Sequence, residues 1–278
     1  MDRSLRERFG GAALITGASA GIGATFARQL AAEKMDLVLV ARRRDRLDAL
    51  GEEIQRRHGV ETVSLCADLA DPSAPAAMVG ELDARGLAVD ALVNNAGYGL
   101  PARYQDLPWP DQATFLQVMI SAPCELAHAL APRMAARGFG RILNVASLAG
   151  LAPGAVGSTL YAASKAFLVR FSESLHLELR EQGVHVTALC PGFTYSEFHD
   201  VTGSRAQVTR AVPPWAWMGA DAVASAGYAA VEANRALCVP GVVNKAAALL
   251  ARLVPENLAL AIMGRHGAEI RPPAPAGR

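Results

Sequence analysis

The sequence predicts a single-domain α/β fold: a doubly wound parallel sheet of about seven strands with helices on both faces and a helical C-terminal extension. Three observations predict it. Short runs rich in Val, Leu, Ile and Ala recur between stretches of helical spacing, as suits a parallel sheet buried on both faces by helices. The first run passes into a helix through Thr16-Gly17-Ala18-Ser19-Ala20-Gly21-Ile22-Gly23. Hydrophobic residues make up 51% of 278, mean hydropathy is +0.19, and no repeat or linker divides the chain.

In order, Ala12 to Ile15 reads as the first strand and Ala24 to Lys34 as the helix after the glycine-rich turn. Glycines there allow a tight turn and close approach of an anion to the helix N-terminus, where unpaired N–H groups and the dipole favour negative charge. The spacing G-x-x-x-G-x-G differs from the commoner dinucleotide fingerprint, and a turn that binds nothing is the alternative. Leu37 to Val40 is the second strand, ending at Ala41-Arg42-Arg43-Arg44. A carboxylate at this edge suits a ribose 2′-hydroxyl and an arginine a 2′-phosphate, so Arg42 argues for NADP(H) over NAD(H). Arg44 and Arg46 read as the solvated face of a helix from Arg43 to His58.

The third strand is Thr62 to Ala67, followed by Asp68 and Leu69; Asp68 either meets an adenine edge or caps a helix beginning near Pro72. Ala91 to Val93 is strand four, and Asn94-Asn95-Ala96-Gly97 follows, its amides suited to tying neighbouring strands. A long helix, Asp111 to Arg137, precedes strand five, Arg141 to Ala146, which ends at Ser147. Gly150 to Thr159 is a loop leading to a helix that runs to Gln182 and stops at Gly183. Strand six is Val184 to Cys190, closed by Pro191-Gly192; a helix from Asp221 to Asn234 and a last strand, Ala236 to Val239, complete the sheet.

Composition excludes several classes. Net charge is +1, with no basic block beyond Arg42 to Arg44, so nucleic acid is not an expected partner. Cys66, Cys124, Cys190 and Cys238 are scattered and the six histidines show no ligand spacing; these read as buried thiols in a reducing compartment, with no metal site. The charged N-terminus is no signal peptide, and Val242 to Gly264 is too broken by Lys245, Arg252, Pro255 and Glu256 to span a bilayer. A cytoplasmic protein is expected.

The chemistry centres on Tyr161 and Lys165, four apart and on one helical face. An ammonium beside a phenol favours the phenolate, which lets a tyrosine exchange protons with a carbonyl or alcohol. The spacing alone is weak, since most such pairs are solvated. Together, the glycine-rich segment, Asn94-Asn95-Ala96-Gly97, Ser147, Tyr161-x-x-x-Lys165 and Pro191-Gly192 resemble, in order and spacing, the short-chain dehydrogenase/reductase family with its Rossmann-like fold, from about Gly11 to Val239.

That resemblance implies an oxidoreductase. Tyr161 is then the general acid/base, Lys165 binds the nicotinamide ribose and tunes the tyrosine, and Ser147 holds the substrate oxygen. Gly17, Ser19, Ala20, Gly21, Ile22 and Gly23 wrap the pyrophosphate, Asp68 and Leu69 border the adenine, and Asn95, Ala96 and Gly97 pack along the cofactor. Pro191, Gly192 and Thr194 position the carboxamide, with Ser196 as the following hydroxyl. A homodimer or homotetramer is also implied. One departure is Met119, which falls where the family usually has a relay asparagine, and a thioether accepts hydrogen bonds only weakly. Either Ser121, a backbone carbonyl or water rebuilds the relay, or the protein binds nucleotide with little turnover.

Residues 193–220 correspond to the family's substrate lid and are rich in aromatics. They read either as a mobile cover or as a surface loop anchored by its tryptophans. Tyr98, Leu148, Tyr195, Phe198 and Trp215 are the expected pocket residues, with Leu151 and Val156 adding to the wall, implying a small apolar ketone, aldehyde or alcohol substrate. His199 reads as solvated or as a substrate contact. Lys245 to Leu253 and Glu256 to Arg265 read as helices that cover the pocket mouth, meet another subunit or rest on a membrane. The domain is expected to span 1–265, with 266–278 a disordered tail.

Overall fold

In the computed structural model, seven parallel strands lie in the order β3-β2-β1-β4-β5-β6-β7. They are β1 (Ala12–Thr16), β2 (Leu37–Ala41), β3 (Thr62–Cys66), β4 (Val89–Asn94), β5 (Gly140–Val145), β6 (Val184–Leu189) and β7 (Leu237–Cys238). The structure describes residues 10–100, 102–198, 205–255, 257–261 and 263–264. His199 and the tail 266–278 lie outside them.

Period-two geometry explains the apolar runs, because each strand must feed two cores. Ala13, Ile15, Leu37 and Leu39 face one layer, containing α1 (Gly21–Ala32), α2 (Arg44–His58) and α8 (Ala220–Glu232). Ala12, Leu14, Val38 and Val40 face the other, built from α3 (Ala74–Ala84), α5 (Ala122–Ala136) and part of α6 (Thr159–Leu179). The strand order reverses between β1 and β4, which opens a crevice at the carboxyl ends of the strands.

The expected long helix is broken. α4 (Trp109–Leu116) passes through a π turn, Gln117–Ser121, into α5. Such turns favour functional positions, and this one carries Met119. Within the 193–220 segment a short helix, α7 (Arg205–Ala211), and a 3-10 turn, Pro214–Ala216, replace the expected irregular chain. After β7, α9 (Val242–Leu253) is followed by helical residues at 257–261 and 263–264. Among the described residues no helix is long and apolar enough to cross a membrane. Asp68 is not a helix cap: its Oδ1 accepts from the Ala70 N–H, and Asp71 instead binds the N–H and hydroxyl of Ser73 before α3.

Candidate active site

A cleft of about 930 Å³ runs along the carboxyl edge of the sheet. That is near the upper end of the range of roughly 300–1,000 Å³ usual for small-molecule sites. Gly17 and Gly21 take left-handed φ values of 67° and 54°, which shape the turn after β1. No side chain caps the N-terminus of α1, so its first N–H groups are available to an anion. Thr16 and Asn95 secure this turn. Thr16 Oγ1 accepts from the N–H groups of Asn95 and Ala96, and Asn95 Nδ2 donates to the carbonyls of Thr16 and Gly17. Asn94 ties β4 to β5 through Asn144 Oδ1 at 2.9 Å.

Gly17, Ser19, Ala20, Gly21, Ile22, Arg42, Asp68, Leu69, Asn95, Ala96 and Gly97 all line the cleft. Gly23 does not. A Cβ there would fall 2.4 Å from Asn95 Nδ2 and from the Gly17 carbonyl, so this glycine permits packing beneath the turn rather than facing a ligand. At the β2 edge Arg42 approaches Asp68 at 4.0 Å, and Arg43 lines the cleft beside it. Arg46 is not merely solvated: it pairs with Glu197 at 2.6 Å.

Ser147, Tyr161 and Lys165 meet at the opposite end. Ser147 follows β5 and its Oγ accepts from the Ala149 N–H at 3.1 Å, leaving the hydroxyl proton for an acceptor in the cleft. Tyr161 and Lys165 come one helical turn apart from the start of α6, with Lys165 Nζ 5.8 Å from the phenol ring centroid. Lys165 is buried, and desolvation pulls its ammonium down to about 8. Its Nζ donates to the Val145 carbonyl at 2.7 Å. Next to that carbonyl, the Ala146 N–H donates to both the Asn144 and Leu189 carbonyls. Burial also pushes the nearby Cys190 thiol up to about 12, so it remains neutral. Met119 is buried in an apolar cluster with Leu100 and Phe115, against which Tyr161 packs; its Sδ lies 3.0 Å from where a Cβ on Gly97 would stand.

Gly150 brings the two halves of this end together. A Cβ there would strike the Lys165 backbone carbonyl carbon at 2.6 Å, so only glycine lets the Ser147 turn rest on α6. Gly150→Ala is expected to lower kcat by about tenfold or more through displacement of Ser147. Unfolding free energy should fall by about 1–3 kcal/mol. Steady-state kinetics and denaturant melts check both.

The cover departs from expectation. Leu148, Tyr98 and Phe198 line the cleft, with Phe198 5.6 Å from the Tyr161 ring, and Val156 joins them. Tyr195 and Trp215 do not; they are exposed, and Tyr195 stacks on Trp217 at 5.0 Å. The anchoring tryptophan is Trp217, which is buried against Val208 and Val212 and donates to the Val212 carbonyl. Phe193, Val208 and Met263 take the missing places in the wall. Leu151 packs instead against a small core containing Leu168 and Cys190. Pro191, Gly192, Thr194 and Ser196 line the cleft; Thr194 Oγ1 donates to the Gly192 carbonyl at 3.1 Å. Sequence reasoning missed Asn244, which is buried beneath Gly192 and donates to the Pro240 carbonyl at 2.9 Å; an amide in an apolar helix was its one signal. Of the cysteines expected to be buried, Cys190 and Cys238 are, whereas Cys124 is half-buried and Cys66 exposed.

Comparison with known proteins adds to this geometry. Residues 11–206 match the family model described as short chain dehydrogenase. The chain is 33% identical over 203 residues to the very-long-chain 3-oxoacyl-CoA reductase of Anas platyrhynchos, covering 72% of this chain and 64% of that one. It is 38% identical over 187 residues to sulfoacetaldehyde reductase 2 of Chromohalobacter salexigens, covering 66% and 73%. Among solved structures, a short-chain dehydrogenase from Sphingobium yanoikuyae in complex with NADPH superposes with TM-score 0.76 at 34% identity, over 87% of this chain and 93% of that one. The bulky-bulky ketone specific alcohol dehydrogenase from Comamonas testosteroni gives TM-score 0.73 at 29% identity, over 88% and 95%. The chain thus spans somewhat under two thirds of the duck reductase and nearly all of the two solved structures.

Proposed function

The chain belongs to the short-chain dehydrogenase family of oxidoreductases, and from that premise we propose that it interconverts a hydrophobic ketone or aldehyde and its alcohol using NADP(H). One observation carries this reading: Ser147 and Tyr161 line the cleft with a buried Lys165, at an end where the described lining residues carry no other charge. The other charged residues among the described lining form two pairs of their own, Arg42 with Asp68 at 4.0 Å and Arg43 with Glu197 at 3.0 Å.

In this reading the Tyr161 hydroxyl gives its proton to the carbonyl oxygen during reduction and takes it back during oxidation. Ser147 donates a hydrogen bond to the same oxygen and fixes its position. Lys165 contributes positive charge that favours the phenolate and reaches the nicotinamide ribose. The cofactor, when bound, supplies or accepts the hydride. The turn of Gly17, Ser19, Ala20, Gly21 and Ile22 would hold its pyrophosphate, Asp68 and Leu69 would border its adenine, and Pro191, Gly192 and Thr194 would hold its carboxamide.

Arg42 and Arg43 at the adenosine end support NADP(H), as does the NADPH in the Sphingobium structure. Arg42→Ala is expected to weaken NADPH binding by about 10–100-fold and NADH by no more than about twofold. Fluorescence titration checks it. A sulfonate such as sulfoacetaldehyde needs a cation beside the reacting carbon. Among the described lining residues only Lys165 supplies one there, and the Val145 carbonyl holds it. An uncharged substrate is favoured, in keeping with the ketone specificity of the Comamonas enzyme. The test is NADPH consumption over a panel of aromatic and long-chain carbonyls beside sulfoacetaldehyde. Faster turnover of the sulfonate than of every apolar member overturns the substrate class.

Met119 favours a second reading, a nucleotide-binding protein with little turnover. Its mark is tight NADPH binding with no consumption on any panel member. The Val145 carbonyl weighs against it, because Lys165 has a hydrogen-bond acceptor without an asparagine. The reading also includes a homodimer or homotetramer, supported by exposed Phe167 and Leu177 on α6. Light scattering that finds only monomer at micromolar concentration overturns that part. Membrane association through the C-terminal helices is compatible with either reading and is no part of the proposal; absence of vesicle binding overturns it. Four unpaired cysteines accord with a reducing cytoplasm.

A further inference from the structure

Glu197 lines the cleft but has no part in the chemistry above. It stands on the cover segment between Ser196 and Phe198, and its side chain reaches back to the turn between β2 and α2. Arg43 Nη1 donates to Oε2 at 3.0 Å and Arg46 Nη1 to Oε1 at 2.6 Å. The other arm of Arg43, Nη2, donates to Ser19 Oγ at 3.0 Å. Ser19, Arg43 and Glu197 therefore join the glycine-rich turn, the β2 edge and the cover in one bridge beside Arg42. The two arginines, Arg46 foremost, hold the Glu197 carboxyl below the usual carboxylate range, so the bridge is ionic at neutral pH.

A carboxylate bound to a guanidinium that faces an anion site competes with the anion. A 2′-phosphate, with about −1.5 to −2 charge, would draw on the donors of Arg43 and repel Glu197. A ribose hydroxyl would do neither. The consequence extends to the reacting end, because the next residue is Phe198, whose ring packs on Tyr161.

We propose that Glu197 is a specificity-determining latch: the 2′-phosphate of NADP(H) draws Arg43 away from it and loosens the cover, which Glu197 then holds by the Arg46 pair alone, whereas NAD(H) leaves the bridge closed. This rests on the NADP(H) reading. Linkage makes the effect reciprocal, so the closed latch must lower affinity for the 2′-phosphate.

The test titrates the wild type and Glu197→Gln with NADPH and NADH, and with adenosine 2′,5′-bisphosphate and ADP as probes of the phosphate alone. The variant is expected to bind NADPH and the 2′,5′-bisphosphate about fivefold more tightly, with NADH and ADP changed by less than about twofold. Hydrogen exchange of residues 193–198 in the wild type should speed up with the 2′,5′-bisphosphate and not with ADP. In Glu197→Gln it should already be fast and unresponsive. If the wild type prefers NADPH but the variant's NADPH-to-NADH ratio is unchanged or lower, the latch is overturned and the cofactor reading stands. If the wild type binds NADPH and NADH alike, the cofactor reading falls and takes the latch with it.

Discussion

Tyr161→Phe is expected to lower kcat by about 10²–10⁴-fold, the range for losing a positioned general acid, with NADPH affinity and melting temperature nearly unchanged. The substitution removes one oxygen and keeps the ring. That ring packs against the cluster of Leu100, Phe115 and Met119 and lies 5.6 Å from Phe198, contacts a phenylalanine reproduces. Loss of turnover would therefore report chemistry rather than folding. Stopped-flow kinetics beside a cofactor titration and a thermal melt separate the two. A variant retaining more than about a tenth of wild-type kcat would place the proton donor elsewhere, since that loss is far below the general-acid range.

Lys165→Met is expected to abolish turnover and at the same time stabilise the cofactor-free protein. The ammonium is buried, and its fall from the ordinary 10.5 to about 8 corresponds to roughly 3 kcal/mol at 1.36 kcal/mol per pH unit. Below about pH 8 the lysine is charged in both folded and unfolded chains, and the folded state bears that full cost. Above about 10.5 it is neutral in both and the cost is gone. Methionine fills similar space without charge but leaves the Val145 carbonyl unpaired, which costs about 1 kcal/mol. The net gain at pH 7 is about 2 kcal/mol, or about 4–8 °C in melting temperature for a chain of this size. The advantage should shrink as pH rises from 8 to 10.5. Melts of both proteins across that interval check the sign; a variant less stable than wild type at pH 7 would mean that the lysine is well solvated or paired in the folded state.

Much of this site was legible because its signals are local. The glycine-rich turn after β1, the paired asparagines after β4, Ser147 after β5 and Pro191-Gly192 after β6 each lie at the end of an apolar run, where a parallel sheet exposes its carboxyl edge. Tyr161 and Lys165 are one helical turn apart, so one helix suffices to bring them together. The failures have a common cause in long-range packing. Trp215 and Trp217 are two residues apart in an irregular segment, and only contact with Val208 and Val212 determines which is buried. Asp68 and Asp71 both precede α3, and the path of the turn decides which one organises it.

The sequence by itself determined the α/β class, the strand and helix order, the turn after β1 and the line of residues along the cleft, because hydrophobic period and turn chemistry act over a few residues. Tertiary structure alone decided the π turn at 117–121, the hold of the Val145 carbonyl on Lys165 and the ion pair between Arg43 and Glu197, 154 positions apart. The π turn is a bend within one continuous helical stretch, whereas the other two join separate elements; all three depend on how the layers pack, which no local pattern encodes.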